Sequence, residues 1–176
     1  KEFIAIGTGG LYLGKKDKAI IASVGTGTAL IRADKKEFKH LGGTGVGAGT
    51  LINLCNKLVG TSCFEEIIKL SKQGNLSNVD LRIADLTNEN IETLPLDLTL
   101  ANFGKLNHMT LKEDIVVGLV NMVFEVVGMM TAFASLNDKI KEIVLIGNIV
   151  SIPIVEDVLR KIEKTHKVRF TIPKRS

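Results

Sequence analysis

Residues 40–50, HLGGTGVGAGT, carry five glycines in eleven positions and run directly into LINLCNKLVG, whose apolar spacing is helical. Glycine costs backbone entropy and offers no side chain to pack, so this density in front of a helix restricts what the chain can become. Two readings compete. A strand-to-helix turn needs one or two glycines. A backbone cradle for phosphate needs close approach, positive φ angles and free N–H groups at a helix N-terminus. Five glycines exceed what a turn requires, which favours the cradle. One Gly-rich loop is a weak signal, so the rest of the chain must decide.

The residues before this stretch read as three short strands. AIIASV (19–24) is a nearly continuous apolar run, expected at the centre of a sheet. A Gly25-Thr26-Gly27 turn leads to a second strand over 28–33, and Asp34-Lys35-Lys36 to a third over 37–41. The helix after the Gly-rich loop should stop at Gly60. A capping box of Ser62 and Glu65 predicts a second helix, ending near Gly74. NVDLRIADL reads as extended or irregular, and LANFGKL as a short helix.

Residues 115–136 are apolar enough to span a bilayer. Asn121 and Glu125 near the centre argue against that, since a mid-span Glu is costly in lipid. With a capping box of Thr110 and Glu113 in front, a buried helix of a soluble protein is the expectation. EIVLIGN then reads as a strand buried on both faces, residues 151–167 as a helix with Pro153 in its first turn, and VRFTIP as a last strand. The order is βββα, a helical insertion, then βαβ. It suggests an α/β fold: a ribonuclease-H-like half of an actin-like ATPase.

In that fold the SVGTGTAL turn and the 42–49 loop would lie at one end of one sheet. Gly25 and Gly27 would let backbone N–H groups face an anion, and Thr26 and Thr28 would add hydroxyl donors. Two such cradles point to a polyphosphate nucleotide. Phosphoryl transfer to a hydroxyl then calls for a carboxylate near the acceptor, and Glu2 is a candidate; spacing alone does not separate it from a solvated terminal acid.

Composition narrows the remaining classes. The chain has 176 residues, 45% of them hydrophobic, which suits one globular domain with a proper core. Its net charge of +4 is concentrated from Lys161 onward, where six Lys/Arg face one Glu. That is a basic tail on a nearly neutral body, and with no Trp and one Tyr it gives little support to nucleic-acid binding. Cys55 and Cys63 fit neither a metal spacing nor a disulfide framework, and with no signal peptide a cytoplasmic location is expected. His108 and His166 have no acidic or thiol partner at ligand spacing.

Together the stretches EFIAIGTGGLYL, SVGTGTAL, HLGGTGVGAGTLINLCNKLVG, FEEIIKLSKQGNLSNVDL, DLTLANFGK and IVLIGN resemble the type II, eukaryotic-like pantothenate kinases of the actin, heat-shock-ATPase and sugar-kinase superfamily. The resemblance implies phosphorylation of pantothenate with ATP and Mg2+, the first step towards coenzyme A, by a homodimer. It implies Glu2 as catalytic base and Gly25, Thr26, Gly27 and Thr28 as a phosphate loop. Gly45, Gly47, Ala48 and Gly49 would lie along the nucleotide, and Gly147 and Asn148 near the adenosine. His40, Thr99, Ala101 and Asn102 would face pantothenate.

The departures from the family are four. The N-terminal Asp-Gly-Gly-Thr phosphate loop and the closing glycine-rich helix are absent, so the chain reads as the second domain truncated at both ends. Residues 1–18 would be an interdomain helix and 19–176 the second domain, with its insertion at about 61–137. Activity is then expected of the full-length parent rather than of this chain; the alternatives are a non-catalytic nucleotide-binding and dimerisation module, or a related kinase acting on another small hydroxylated acceptor. His40 stands where many members carry Arg, and Ala48 replaces a glycine.

One helix face suggests how a dimer would form. Gly118, Asn121, Glu125, Gly128 and Ala132 recur at spacings of three and four, a small and polar stripe that another helix could approach closely. Val116, Val123, Met130 and Phe133 are left to pack into the core.

Overall fold

The computed structural model describes residues 1–87 and 95–174. Two compact units emerge, one made of residues 1–51 and 123–176 and the other of residues 52–122.

The first unit is organised by a five-stranded sheet. β1 (Lys18–Val24), β2 (Thr28–Asp34) and β3 (Phe38–Thr44) form an antiparallel meander; β6 (Glu142–Ile146) and β7 (Arg169–Thr171) continue it in parallel, giving the order β3-β2-β1-β6-β7. β1 is central, as its unbroken apolar run requires. Its alternate residues feed both faces, and Ala19, Ile20, Ile21 and Ala22 are all fully buried. Ala19, Ile21, Ile31, Ala33 and Val144 form one face of the core with Leu11 of helix α1 (Glu2–Gly14).

α1 is helical despite four glycines, because three of them are the surface it packs with. A Cβ at Gly7 would meet the Phe38 ring at 2.4 Å, one at Gly10 would meet Ile21 at 2.6 Å, and one at Gly14 would meet Val144 at 2.6 Å. Close approach to the sheet thus offsets a propensity cost of about 1 kcal/mol per glycine. Phe3, Ile4, Tyr12 and Leu13 are left exposed.

β3 departs from the sequence reading. It runs through Gly42 and Gly43 instead of ending at Leu41. Leu30 pairs with Gly42 but Ile31 with His40, so Leu41 is an extra residue in a bulge beside Gly42 at φ 137°. Gly43 lies so close to β2 that a Cβ would stand 2.2 Å from the Thr28 carbonyl. Two of the five glycines therefore belong to a strand, not to a loop.

Helix α2 (Ala48–Val59) follows, and Gly60, at φ 83°, closes it with its N–H on the Cys55 and Asn56 carbonyls. Helix α4 (Lys112–Asp138) is long and apolar enough to cross a membrane, but 67% of its most apolar stretch is buried inside the protein. α5 (Ile154–His166) starts right after Pro153.

The expected docking stripe on α4 is already occupied. In the first unit a Cβ at Gly128 would meet Ile162 of α5 at 2.5 Å, and Ala132 is fully buried. In the second unit Gly118 packs on Val79 and Phe103, and Asn121 hydrogen-bonds Asp80 at 2.9 Å. The small residues let the chain's own elements approach. The core assignment on the other faces fails at Phe133, which is exposed and meets the His166 ring edge-on.

The second unit takes most of α2 and the start of α4, and between them it is built from short elements: α3 (Phe64–Gln73), single 3₁₀ turns, and a two-stranded ladder of β4 (Leu81–Arg82) and β5 (Thr99–Ala101). LANFGKL is thus strand and turn, not helix. Phe103, at φ 59°, breaks any helix there and donates its N–H to buried Asp80. The Ser62–Glu65 capping box is replaced. Thr61, not Ser62, organises the start of α3, donating to Glu66 at 2.5 Å and accepting from the Cys63 N–H. The Thr110 hydroxyl accepts from the Asn107 N–H, a local turn that competes with capping α4.

Candidate functional site

The glycine-rich elements meet at the carboxyl ends of the two central parallel strands. β1 ends in the Gly25-Thr26-Gly27 turn and β6 in Gly147, with Ser23 paired to Ile146 one step before. Open α/β sheets bind ligands outside this end of their strands. Gly147 has φ 136°, and a Cβ there would lie 2.1 Å from the Val24 carbonyl, so no other residue fits.

The turn and the 45–49 segment are locked together. The Ala48 N–H donates to the Gly25 carbonyl at 2.8 Å and the Gly49 N–H to the Thr26 carbonyl at 3.0 Å. A Cβ on Gly47 would lie 2.7 Å from backbone atoms of Gly25 and Gly27; one on Gly49 would lie 2.9 Å from Thr26. A Cβ on Gly27 would stand 2.7 Å from the Thr44 carbonyl. The Thr28 hydroxyl donates to the Val46 carbonyl at 2.8 Å.

These contacts change the simple cradle picture. The N–H groups of Ala48 and Gly49 and the Thr28 hydroxyl serve the protein's own backbone, and none of Gly25, Gly27, Gly45, Gly47 or Gly49 has a positive φ. Three of these glycines are there so that backbone can lie on backbone.

Gly25 and Gly45 are different. Both are exposed. A Cβ at Gly45 would meet nothing within 4 Å, and one at Gly25 would touch only the Gly27 carbonyl, at 3.8 Å. Neither packing nor conformation accounts for glycine at these two places, which leaves room for something outside the chain. Thr26 is exposed beside them.

Gly147 and Asn148 line a cleft of ≈ 630 Å³ together with Ile146, Ser151, Pro153 and Lys174. Its size is in the range of small-molecule sites, about 300–1,000 Å³. The Ser151 hydroxyl donates to the Asn148 carbonyl at 2.8 Å and fixes that corner.

Glu2 is exposed in the first turn of α1, which has no side-chain cap. His40 is exposed on β3, and its ring stacks on Phe3 with centroids 4.3 Å apart and an interplanar angle of 12°. Thr99, Ala101 and Asn102 lie together in the second unit, on β5 and the turn after it. Ala101 pairs with Leu81, and the Thr99 hydroxyl lies 3.4 Å from the Asn121 amide.

Among the described residues no three His, Cys, Asp or Glu side chains gather into a metal cluster. Of the two thiols, Cys63 is exposed, whereas burial pushes Cys55 up to about 11 and makes it inert.

Sequence reasoning missed Thr44, Thr50 and Phe3. The Thr44 hydroxyl accepts from the Val46 N–H at 3.1 Å, and the Thr50 hydroxyl donates to the Gly45 carbonyl at 3.1 Å, so the two bracket the loop. A Thr two residues before a loop amide is a local signal that could have been read. Phe3 meets His40 across 37 positions, and no local pattern announces that.

A model of the Fumble family matches residues 18–161. A type II pantothenate kinase of Oceanobacillus iheyensis is 30% identical over 154 residues, covering 83% of this chain and 57% of that protein. Those of Bacillus cereus strain G9842 and Bacillus anthracis are also 30% identical, covering 84% of this chain and 57% and 56% of their own lengths. The chain thus spans little more than half of these relatives. In structure it is similar to a crystal structure described as a xyloylose kinase from Brucella ovis, with a TM-score of 0.58 at 13% identity, covering 90% of this chain and 36% of that one. That likeness is one of fold.

Proposed function

We propose a phosphoryl-transfer function from one premise: the chain belongs to the Fumble family. The protein that contains it phosphorylates pantothenate with ATP, giving 4'-phosphopantothenate. The relatives named type II pantothenate kinase support this reading. The observation that carries it is the pair Gly25 and Gly45, two exposed glycines without a structural reason, on a turn and loop locked together at the carboxyl end of β1. Polyphosphate passes over that pair, with the adenosine towards the Gly147–Asn148 cleft.

In this reading Glu2 accepts the proton of the pantothenate hydroxyl and His40 faces the acceptor, while Thr99, Ala101 and Asn102 line a pantothenate pocket in part across the dimer interface. ATP brings a divalent cation in such reactions. The sheet order β3-β2-β1-β6-β7 supports the ribonuclease-H-like reading of the fold. We take residues 1–18 as an interdomain helix and 19–176 as the second actin-like domain. Two free thiols suit the reducing cytoplasm. The assembly is a two-fold dimer through a face other than the Gly128 stripe; a monomer in sedimentation at micromolar concentration would rule it out.

The test is a phosphoryl-transfer screen of the full-length protein against pantothenate and related hydroxy acids. Pantothenate should turn over, and Glu2→Gln should lower kcat about 10²- to 10⁴-fold with ATP binding retained. Preference for a different hydroxy acid would keep the kinase and replace the acceptor.

A further inference from the structure

The Phe3–His40 stack joins two elements through one repeat. Phe3 and Gly7 are four apart and share a face of α1; Phe38 and His40 are two apart and share a face of β3. The Phe38 ring fills the space over Gly7, and the Phe3 ring lies on His40 at 4.3 Å. The helix start is thereby clamped to the strand at two rungs. The second rung lies at the surface: Phe3 keeps 41% of its surface exposed, and His40 is exposed. With one face of the imidazole covered by a near-parallel ring, the imidazole plane is set and its nitrogens are presented edge-on.

We infer that Phe3 is a positioning residue, which holds the His40 imidazole so that its nitrogen edge meets the carboxylate of the acceptor and ties the turn carrying Glu2 to β3. This rests on the proposed kinase reading. The occupied face is also why His can stand here without being an equivalent of Arg: a planar guanidinium offers a fork of donors, whereas imidazole offers one edge whose direction must be fixed. The class of ligand is a small hydroxy acid whose carboxylate lies in the imidazole plane.

The experiment is a double-mutant cycle in the full-length protein, with KM for pantothenate as the readout, joined to the ring signals of ¹³C-labelled histidine. Phe3→Ala should raise KM about three- to tenfold, the range of one aromatic pair, and Phe3→Tyr should restore it. In a His40→Ala background the further change on Phe3→Ala should stay under about twofold, because the residue it orients is gone. Independent, multiplying effects on KM would overturn the inference, since a merely structural Phe3 would act whatever stands at position 40. If the wild-type protein leaves pantothenate untouched, it is the kinase reading that fails. The His40 ring signal reports the stack itself: it should be displaced in Phe3→Ala and returned in Phe3→Tyr, and an unmoved signal means that no stack forms in solution and overturns the inference whatever the substrate.

Discussion

The two compact units solve the same problem with different means. The first buries polar backbone in a regular ladder and fills both faces of β1 with Ala and Ile side chains that are fully buried. The second has a ladder of only two- and three-residue strands, and carboxylates take over the pairing that a sheet would supply. Asp80, fully buried, accepts from the Phe103 N–H at 2.8 Å and the Asn121 amide at 2.9 Å. Asp114, also buried, accepts from the Asn75 N–H at 2.7 Å and the Asn78 amide at 3.0 Å. Where elements are long, apolar burial sets the structure. Where they are short, turn carbonyls and a few carboxylates share that task, and each pairing matters because leaving a buried donor unpaired costs about 1–3 kcal/mol.

The strongest attempt to break the contrast is Gly47→Ala in the first unit. The new methyl would stand 2.7 Å from three backbone atoms of the Gly25–Gly27 turn, which cannot rotate away as a side chain could. It should cost about 3 kcal/mol or more and abolish nucleotide binding. Gly45→Ala, with open space around its Cβ, should leave the melting temperature unchanged and weaken nucleotide binding. Thermal melts with nucleotide titration separate the two, and equal loss of stability in both would refute the distinction between packing glycines and ligand glycines.

Asp80→Ala probes the second unit. It removes the carboxylate that accepts from the Phe103 N–H and the Asn121 amide and should cost about 3 kcal/mol, with amide exchange at Phe103 rising first. A loss under about 1 kcal/mol would mean that packing, not the carboxylate, holds this unit.

Gly128→Leu comes next in size. It drives a side chain into Leu159 and Ile162, so about 1–3 kcal/mol of overpacking is expected, with no change in assembly state. A dissociated dimer with an unchanged melt would restore the stripe as an intermolecular face.

The smallest effect belongs to Asp85, which is exposed. Hydrogen bonds from the Lys105 ammonium, at 2.8 and 2.9 Å, and then from the Arg82 N–H hold its carboxyl below the ordinary value. A lowered folded value means a contribution present above the unfolded value, about 3.9, and lost as pH falls through the folded one. Asp85→Asn should therefore melt slightly below wild type at pH 7, and the gap should close as pH drops below about 4. A gap that persists in acid would show that charge is not the cause.

The sequence by itself determined the long elements. An unbroken apolar run placed β1 at the centre, 3.6-residue periodicity marked α2 and α5, and Gly60 marked a helix end, all through rules that act within a few residues. It also located the segments that meet at the sheet's carboxyl end, since glycine at such density has few other uses.

It did not determine how those glycines are used. Gly43, Gly27, Gly47 and Gly49 admit another stretch of backbone, Gly25 and Gly45 leave space, and the letter is the same in each case. Nor could periodicity say whether the small stripe on α4 meets another chain or α5, or that LANFGKL, helical by composition, is bent at Phe103 by the pull of Asp80. His40 was legible as a candidate, but not that Phe3 covers its face. Local sequence reports what a segment can tolerate; which neighbour arrives to use that tolerance is decided by contacts between positions tens of residues apart, and those exist only once the chain has folded.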